Sequence, residues 1–127
     1  MDLDSIVPGW TAAKMKSFII SALRGSFRRF PPKQQCINDA YIETKINEST
    51  GRMAKHYECD ECKGSFPRTM VEADHIISIV DPTTGFQDWN TWVERAFVPV
   101  EGFRCLCKPC HKSKTSEERK KKNENHK

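Results

Sequence analysis

No stretch of this chain approaches the ~20 consecutive apolar residues that a membrane-crossing helix requires. Its first residues also carry no signal-peptide pattern. Those absences set the expectation of a cytoplasmic protein with no membrane partner. No internal repeat is visible, which excludes a repeat architecture, and low complexity is confined to Lys120–Lys122, a tail expected to fray. At 127 residues there is room for one small domain and a helical appendage. A chain this short buries a modest share of its surface, so a structural metal would add useful stability.

Acidic residues are missing altogether between positions 11 and 33, where Lys14, Lys16, Arg24, Arg28, Arg29 and Lys33 stand. Residues 107–127 hold eight bases against three acids, whereas residues 34–106 hold seven bases against twelve acids. The net charge of +4 therefore hides a strong asymmetry. Basic flanks around an acidic centre suit a protein that grips phosphates at its ends and holds cations between them. Solvated charged faces are the ordinary reading of any single run, but two separate runs favour nucleic acid as the partner.

Hydrophobic periodicity places the elements. Met15, Phe18, Ile19, Ala22, Leu23 and Phe27 recur at helical steps, predicting an amphipathic helix over 10–30. Pro31-Pro32 stops it, because proline lacks the amide donor and clashes with the preceding turn. A second helix is predicted from there, with Ile37, Ala40, Tyr41 and Thr44 on one face and Gly51 ending the following loop. Cys36 reads as a small buried hydrophobe. From Met70 to Val80 the period is two, with Val71, Ala73, His75, Ile77 and Ile79 on one face and Glu72, Asp74 and Ile76 on the other. Asp81-Pro82-Thr83-Thr84-Gly85 is a turn. A short helix capped by Asp88 carries Trp89, Trp92, Val93, Ala96 and Phe97, with both tryptophans in the core. Pro99 closes it, Phe103–Leu106 forms a strand, and a charged helix starts at Lys108.

Cysteine spacing carries the strongest chemical signal. Cys59-x-x-Cys62 and Cys107-x-x-Cys110 are two knuckles with the spacing of a structural zinc site, each chelating through a tight turn. The 44 residues between Cys62 and Cys107 exceed a simple zinc ribbon and imply a functional insert. Cys105 could compete as a ligand, but the C-x-x-C geometry favours Cys107. Disulfides would require an export signal. Cys107-x-x-Cys110-His111 also matches a c-type haem attachment site, and either pair alone matches a thioredoxin-like redox motif. The first leaves Cys59 and Cys62 unexplained, and the second needs a larger α/β sheet.

The insert contains the dipeptide Asp74-His75, followed by Ile76-Ile77, and the second knuckle is followed by His111. His111 is one residue past Cys110, rotated ~100° about the helix, and so faces away from the zinc. Taken alone, His75 reads as a satisfied histidine in a half-buried strand, and His56 and His126 read as surface residues. Together, the dipeptide, the downstream Cys-x-x-Cys-His and the aliphatic pair resemble the HNH endonuclease family over residues 56–115. The free-standing HNH proteins of bacteriophages are also similar around Arg28-Arg29-Phe30-Pro31-Pro32-Lys33, Phe66-Pro67-Arg68 and Phe86-Gln87-Asp88-Trp89-Asn90.

The resemblance implies an α+β chain with a small ββα-metal core, treble-clef-like, holding Zn2+ on four cysteines. It implies that Asp74 and His111 bind a catalytic Mg2+ or Mn2+, which suits a hard carboxylate with one imidazole. It gives His75 the role of general base. The position where many members carry the middle asparagine is Gly102 here; Asn90, the only asparagine in the insert, is the candidate to brace the loop carrying His75 by a side-chain bond to backbone, and reads equally as an ordinary exposed polar residue in a helix's first turn. The expected partner is double-stranded DNA, with the preference between DNA and RNA left open, gripped through phosphates by Arg24, Arg28, Arg29, Lys33, Lys112, Lys114, Arg119 and Lys120, runs too poor in Asn and Gln to read bases. The expected organisation is a helical DNA-contacting extension over 1–51, the nuclease core over 52–116 and a disordered basic tail over 117–127. A homing or packaging-associated nuclease acting in the host cytoplasm fits the resemblance, which leaves open a dimer and a phage packaging or replication partner. The rivals are a zinc module that binds nucleic acid without cutting it and a protein–protein adaptor.

Overall fold

A computed structural model describes residues 2–125, with side chains described for residues 2–120; Lys121, Lys122 and His126, placed above in the tail or at the surface, lie outside those side chains. The chain divides into two compact units, Met1–Phe30 and Pro31–Lys127. It mixes helix and strand, and no described helix is long and apolar enough to cross a membrane.

The first unit holds a short helix α1, Leu3–Ile6, and the amphipathic helix α2, Ala12–Ser26, which a single turn extends through Phe27–Arg29. Thr11 caps α2, its hydroxyl accepting the Lys14 amide at 3.1 Å. Trp10 packs edge-on against Phe18 at 5.5 Å, and the Lys14 ammonium lies 4.9 Å from the indole centre.

In the second unit, α3 spans Pro31–Asp39, its proline at the first helical position where no amide donor is needed. Cys36 and Ile37 are its buried residues, as the apolar pattern requires. The helix does not reach Tyr41 and Thr44. These residues lie in strand β1, Tyr41–Asn47, which turns back through 48–51 into β2, Arg52–Glu58. The reason is local: a β-branched and aromatic run ends at Asn47, whose carbonyl accepts the Thr50 and Gly51 amides and whose side chain accepts that of Ser49. Gly51 takes the left-handed φ of +71° that closes this turn. The break between units accordingly falls after Phe30, not after residue 51, because β1 is hydrogen-bonded into the second unit.

A short strand β3, Ser65–Pro67, completes a three-stranded antiparallel sheet in the order β1-β2-β3. His56, expected at the surface, is buried within β2, its Nδ1–H donating to the Ala54 carbonyl at 2.9 Å. A second sheet pairs β4, Val71–His75, with β5, Phe103–Cys107, in a register that sets Val71 opposite Cys107 and His75 opposite Phe103. The period-two pattern runs on to Val80, but the strand stops at His75. Its partner runs out there: residues 100–102 form a helical turn, the Ile76 amide reaches the Gly102 carbonyl, and Arg95 takes the carbonyls of Ser78 and Ile79.

Helix α4, Trp89–Ala96, buries Trp92 and Ala96 and is capped by Asp88, whose carboxylate accepts the Thr91 amide at 2.7 Å. Trp89 is half-buried, edge-on to Phe86 at 5.0 Å. Helix α5 runs from Lys108 to Asn125, past residue 117, where a disordered tail was expected; its long straight-chain residues favour continued helix. Helix α3 packs on β4 and β5 from one side, and α5 also contacts both strands. The core gathers Ile37, Val71, Trp92, Ala96, Phe103, Cys105 and Leu106.

A Cβ at Gly102 would stand 2.4 Å from Val98 Cγ2 and 2.8 Å from its Cβ, so any side chain there displaces Val98. Gly102→Ala should cost about 1–3 kcal/mol of stability by urea unfolding. Val98→Ala should then cost less in that background than in wild type; equal costs would show that the two sites do not collide.

Candidate functional site

Cys59, Cys62, Cys107 and Cys110 bring their four sulfurs within 4.8 Å of one another, and these residues can hold a metal ion. The first knuckle is tied by the Cys59 amide to the Gly64 carbonyl and by the Lys63 amide to the Cys59 carbonyl, both at 2.9 Å. Lys63 accepts a left-handed φ of 60° to make that turn. The Asp60 amide reaches the Cys105 carbonyl at 2.8 Å, docking the knuckle onto β5. The second knuckle straddles the end of β5 and the start of α5. None of the six cysteines is in a disulfide.

The geometry fits zinc. Four thiolates ~2.3 Å from a tetrahedral ion stand ~3.8 Å apart, and Cys62 Sγ lies 3.9 Å from Cys107 Sγ. Burial works against charge on Cys59, yet the backbone amides of Cys107, Cys62 and Glu61 outweigh it and bring the thiol down to about 6. Cys110 is pushed up to about 12 by its hydrogen bond with Cys107 and by burial. Cys105 and Cys36 stay outside the cluster, burial raising their thiols to about 12 and about 11.

A second group of residues lines up where α5 crosses β4. Glu72 and Asp74 share one strand face. Above them His111, Lys114 and Glu118 follow one another along one side of α5 at three- and four-residue steps. His111 Nε2 is 3.5 Å from Asp74 Oδ1, and its Nδ1 is 3.5 Å from Glu72 Oε2. Lys114 donates to Asp74 Oδ2 at 2.6 Å and to the His75 carbonyl. Asp74 is well covered, its side chain only 13% exposed. Glu72 was not singled out from the sequence, although its place two residues before Asp74, on the same strand face, was the available signal. Among the described residues, the four cysteines alone form a group of three or more ligands close enough for one ion.

His75 points to the other face of β4, against Phe103, with ring centres 4.6 Å apart. Its Nε2 lies 2.7 Å from the Ala96 carbonyl. A carbonyl can only accept, so Nε2 carries the proton and the lone pair of the neutral ring is on Nδ1. Burial lowers the pKa of His75, and the cations Lys33 and Lys114 add to that, against the hydrogen bond to Ala96 and the Asp74 charge. The group that holds this ring is therefore the Ala96 carbonyl. Asn90 is exposed, six residues or ~9 Å earlier along α4. At Gly102 the Val98 side chain leaves no room for an asparagine.

The basic residues divide. Arg24, Arg28, Arg29, Lys112, Arg119 and Lys120 are exposed. Lys114 is committed to Asp74, with only 20% of its side chain exposed. Lys33 is half-buried; burial lowers its pKa, while Glu72 and Asp74 pull it back up.

Comparison with protein-family models, with curated proteins and with solved structures finds no match to this chain.

Cys62→Ser and Cys107→Ser should each lose metal and fold together, because structural zinc supplies folding free energy of order 10 kcal/mol. Cys105→Ser should keep one zinc per chain. Elemental analysis alongside circular dichroism checks both; a folded wild type free of zinc would remove the four-thiolate site.

Proposed function

We propose that this chain is a metal-dependent HNH-type endonuclease that hydrolyses phosphodiester bonds in double-stranded DNA. The observation that carries the reading is the approach of Asp74 to His111 at 3.5 Å, on the strand end that also presents His75 and beside a four-cysteine cluster. The succession β4, β5, α5, with the knuckle at its corner, supports a ββα-metal arrangement built on structural zinc. Asp74 and His111 would hold Mg2+ or Mn2+, and Glu72 stands on the far side of the imidazole. A divalent ion bound there would supply positive charge to offset that building on the phosphate and the leaving 3′ oxygen.

The remaining steps belong to the protein. The Ala96 carbonyl fixes the His75 ring in the Nε2–H tautomer, so Nδ1 is the atom that takes a proton from the attacking water. Packing on Phe103 limits rotation of the ring. The exposed cations Arg24, Arg28, Arg29, Lys112, Arg119 and Lys120 would contact phosphates, which gives a grip weakly dependent on sequence. A folded, zinc-loaded chain that binds DNA but leaves a plasmid uncut with Mg2+ and with Mn2+ is instead a non-catalytic zinc module.

Wild type should nick or linearise a plasmid with Mg2+ or Mn2+ and stop in EDTA. His75→Ala should lower the rate roughly 10²–10⁴-fold, the range for a lost general base. The variant should keep its zinc and lose about 1–3 kcal/mol of stability from the unpaired Ala96 carbonyl. Cleavage at wild-type rate by His75→Ala would remove the assigned role.

Duplex binding should fall steeply with salt, by a slope near −0.9 per phosphate neutralised. The double variant Lys112→Ala, Arg119→Ala should flatten that slope by about two units and weaken all duplexes alike. Loss of preference for one sequence at unchanged slope would mean that these side chains read bases.

A further inference from the structure

Lys112 and Lys114 are two residues apart on α5, and charge alone does not separate them. Helical rotation does: Lys112 is exposed, while Lys114 turns inward toward β4. The Lys114 ammonium has three acceptors around it. It donates to Asp74 Oδ2 at 2.6 Å and to the His75 carbonyl, and it stands 3.9 Å from Glu118 Oε1. Glu118 is itself anchored, accepting from Ser78 Oγ at 2.5 Å. An ammonium has three donors, and a lysine held in this way is not available to a phosphate without giving up those bonds.

Its position relative to the two oxygens of Asp74 is informative. Lys114 takes Oδ2, and the other oxygen, Oδ1, is the one 3.5 Å from His111 Nε2. A carboxylate rotates easily about its last bond, where the torsion is broad. A fixed donor on one oxygen therefore sets the direction of the other. The same ammonium holds the main chain at the His75 carbonyl, the peptide link immediately after Asp74–His75.

We propose that Lys114 is a positioning residue for the Asp74–His111 site: it orients Asp74 so that Oδ1 faces His111, rather than gripping DNA. The inference rests on the reading of that pair as a divalent-ion site. Two effects oppose each other in it, and the sign of the result tells them apart. A cation beside a ligand repels a second cation, so a lysine with no orienting role would weaken metal binding, and its removal would tighten it. A partner that orients a ligand strengthens binding, and its loss typically costs 10–100-fold in affinity.

The test is Mn2+ binding to the full-length, zinc-loaded protein without DNA, followed by electron paramagnetic resonance of free Mn2+. Zinc content and circular dichroism report the fold of each variant. Lys114→Met should bind Mn2+ 10–100-fold more weakly, Lys114→Arg should recover part of the loss, and Lys112→Met should leave affinity unchanged. Lys114→Gln keeps one donor for Asp74 without the charge and should fall between Met and wild type. Unchanged or tighter Mn2+ binding by Lys114→Met and Lys114→Gln overturns the positioning role while leaving the metal site standing. A wild type that binds no Mn2+ beyond its zinc overturns the site itself, and the positioning role with it.

Discussion

The junction where β5 becomes α5 is held by Cys107 and Cys110, and across from it Cys59 and Cys62 close the same cluster from a separate turn. Everything catalytic proposed for this chain depends on that corner. Cys107 is the residue that β5 pairs with Val71, so the cluster is locked to the register of the β4–β5 ladder. Cys110 lies in the first turn of α5, so the same cluster sets where that helix begins and how it is rotated. With both fixed, His111 arrives above Glu72 and Asp74, Lys114 one turn later above Asp74 and His75, and Glu118 above Ser78. The apolar packing beneath, Leu106 with Phe66 around the cysteines, is too small to fix that geometry alone.

The interface between β4 and α5 is a row of ionisable side chains. Carboxylates stand on the strand, an imidazole and an ammonium answer from the helix, and Glu118 follows on the helix. A row of this kind has a cost. Asp74 and Lys114 are largely out of water, and a partly buried charge is tolerated only when it is paired and hydrogen-bonded. The sheet's other face carries no such charges; there His75 meets Phe103 and the end of α4. The strand thus separates a charged side from a drier one, where burial lowers the pKa of an imidazole. The two meet where β4 ends, at consecutive residues.

Periodicity in the sequence located α2, α4 and β4, because each has a one-sided apolar pattern that local geometry must honour; β5 was placed as a short apolar run and the start of α5 as a charged one. It failed over residues 41–47. There the residues are mostly exposed, so burial imposes no period, and pairing with β2 decides the matter. His56 was misplaced for a related reason: burial of a lone polar residue depends on what the neighbouring strands cover. The end of β4 was overrun because Ile76, Ile77 and Ile79 continue the alternation, while the partner strand does not continue with them.

Ligand identity was legible from residue type and spacing. Two C-x-x-C pairs can chelate one ion almost regardless of the fold between them, since each knuckle is a local turn, and Cys105 could be set aside on the same ground. Orientation was not legible. Which group would hold the His75 ring, whether Lys114 would face solvent or Asp74, and whether Gly102 could admit a side chain all turn on contacts between residues far apart in sequence. The separation is 21 positions from His75 to Ala96 and 40 from Asp74 to Lys114. Chemistry that needs only residue type and local spacing is written along the chain. Chemistry that needs one side chain aimed at another is decided by packing, because strand register and helix rotation must both be set before either group has a direction.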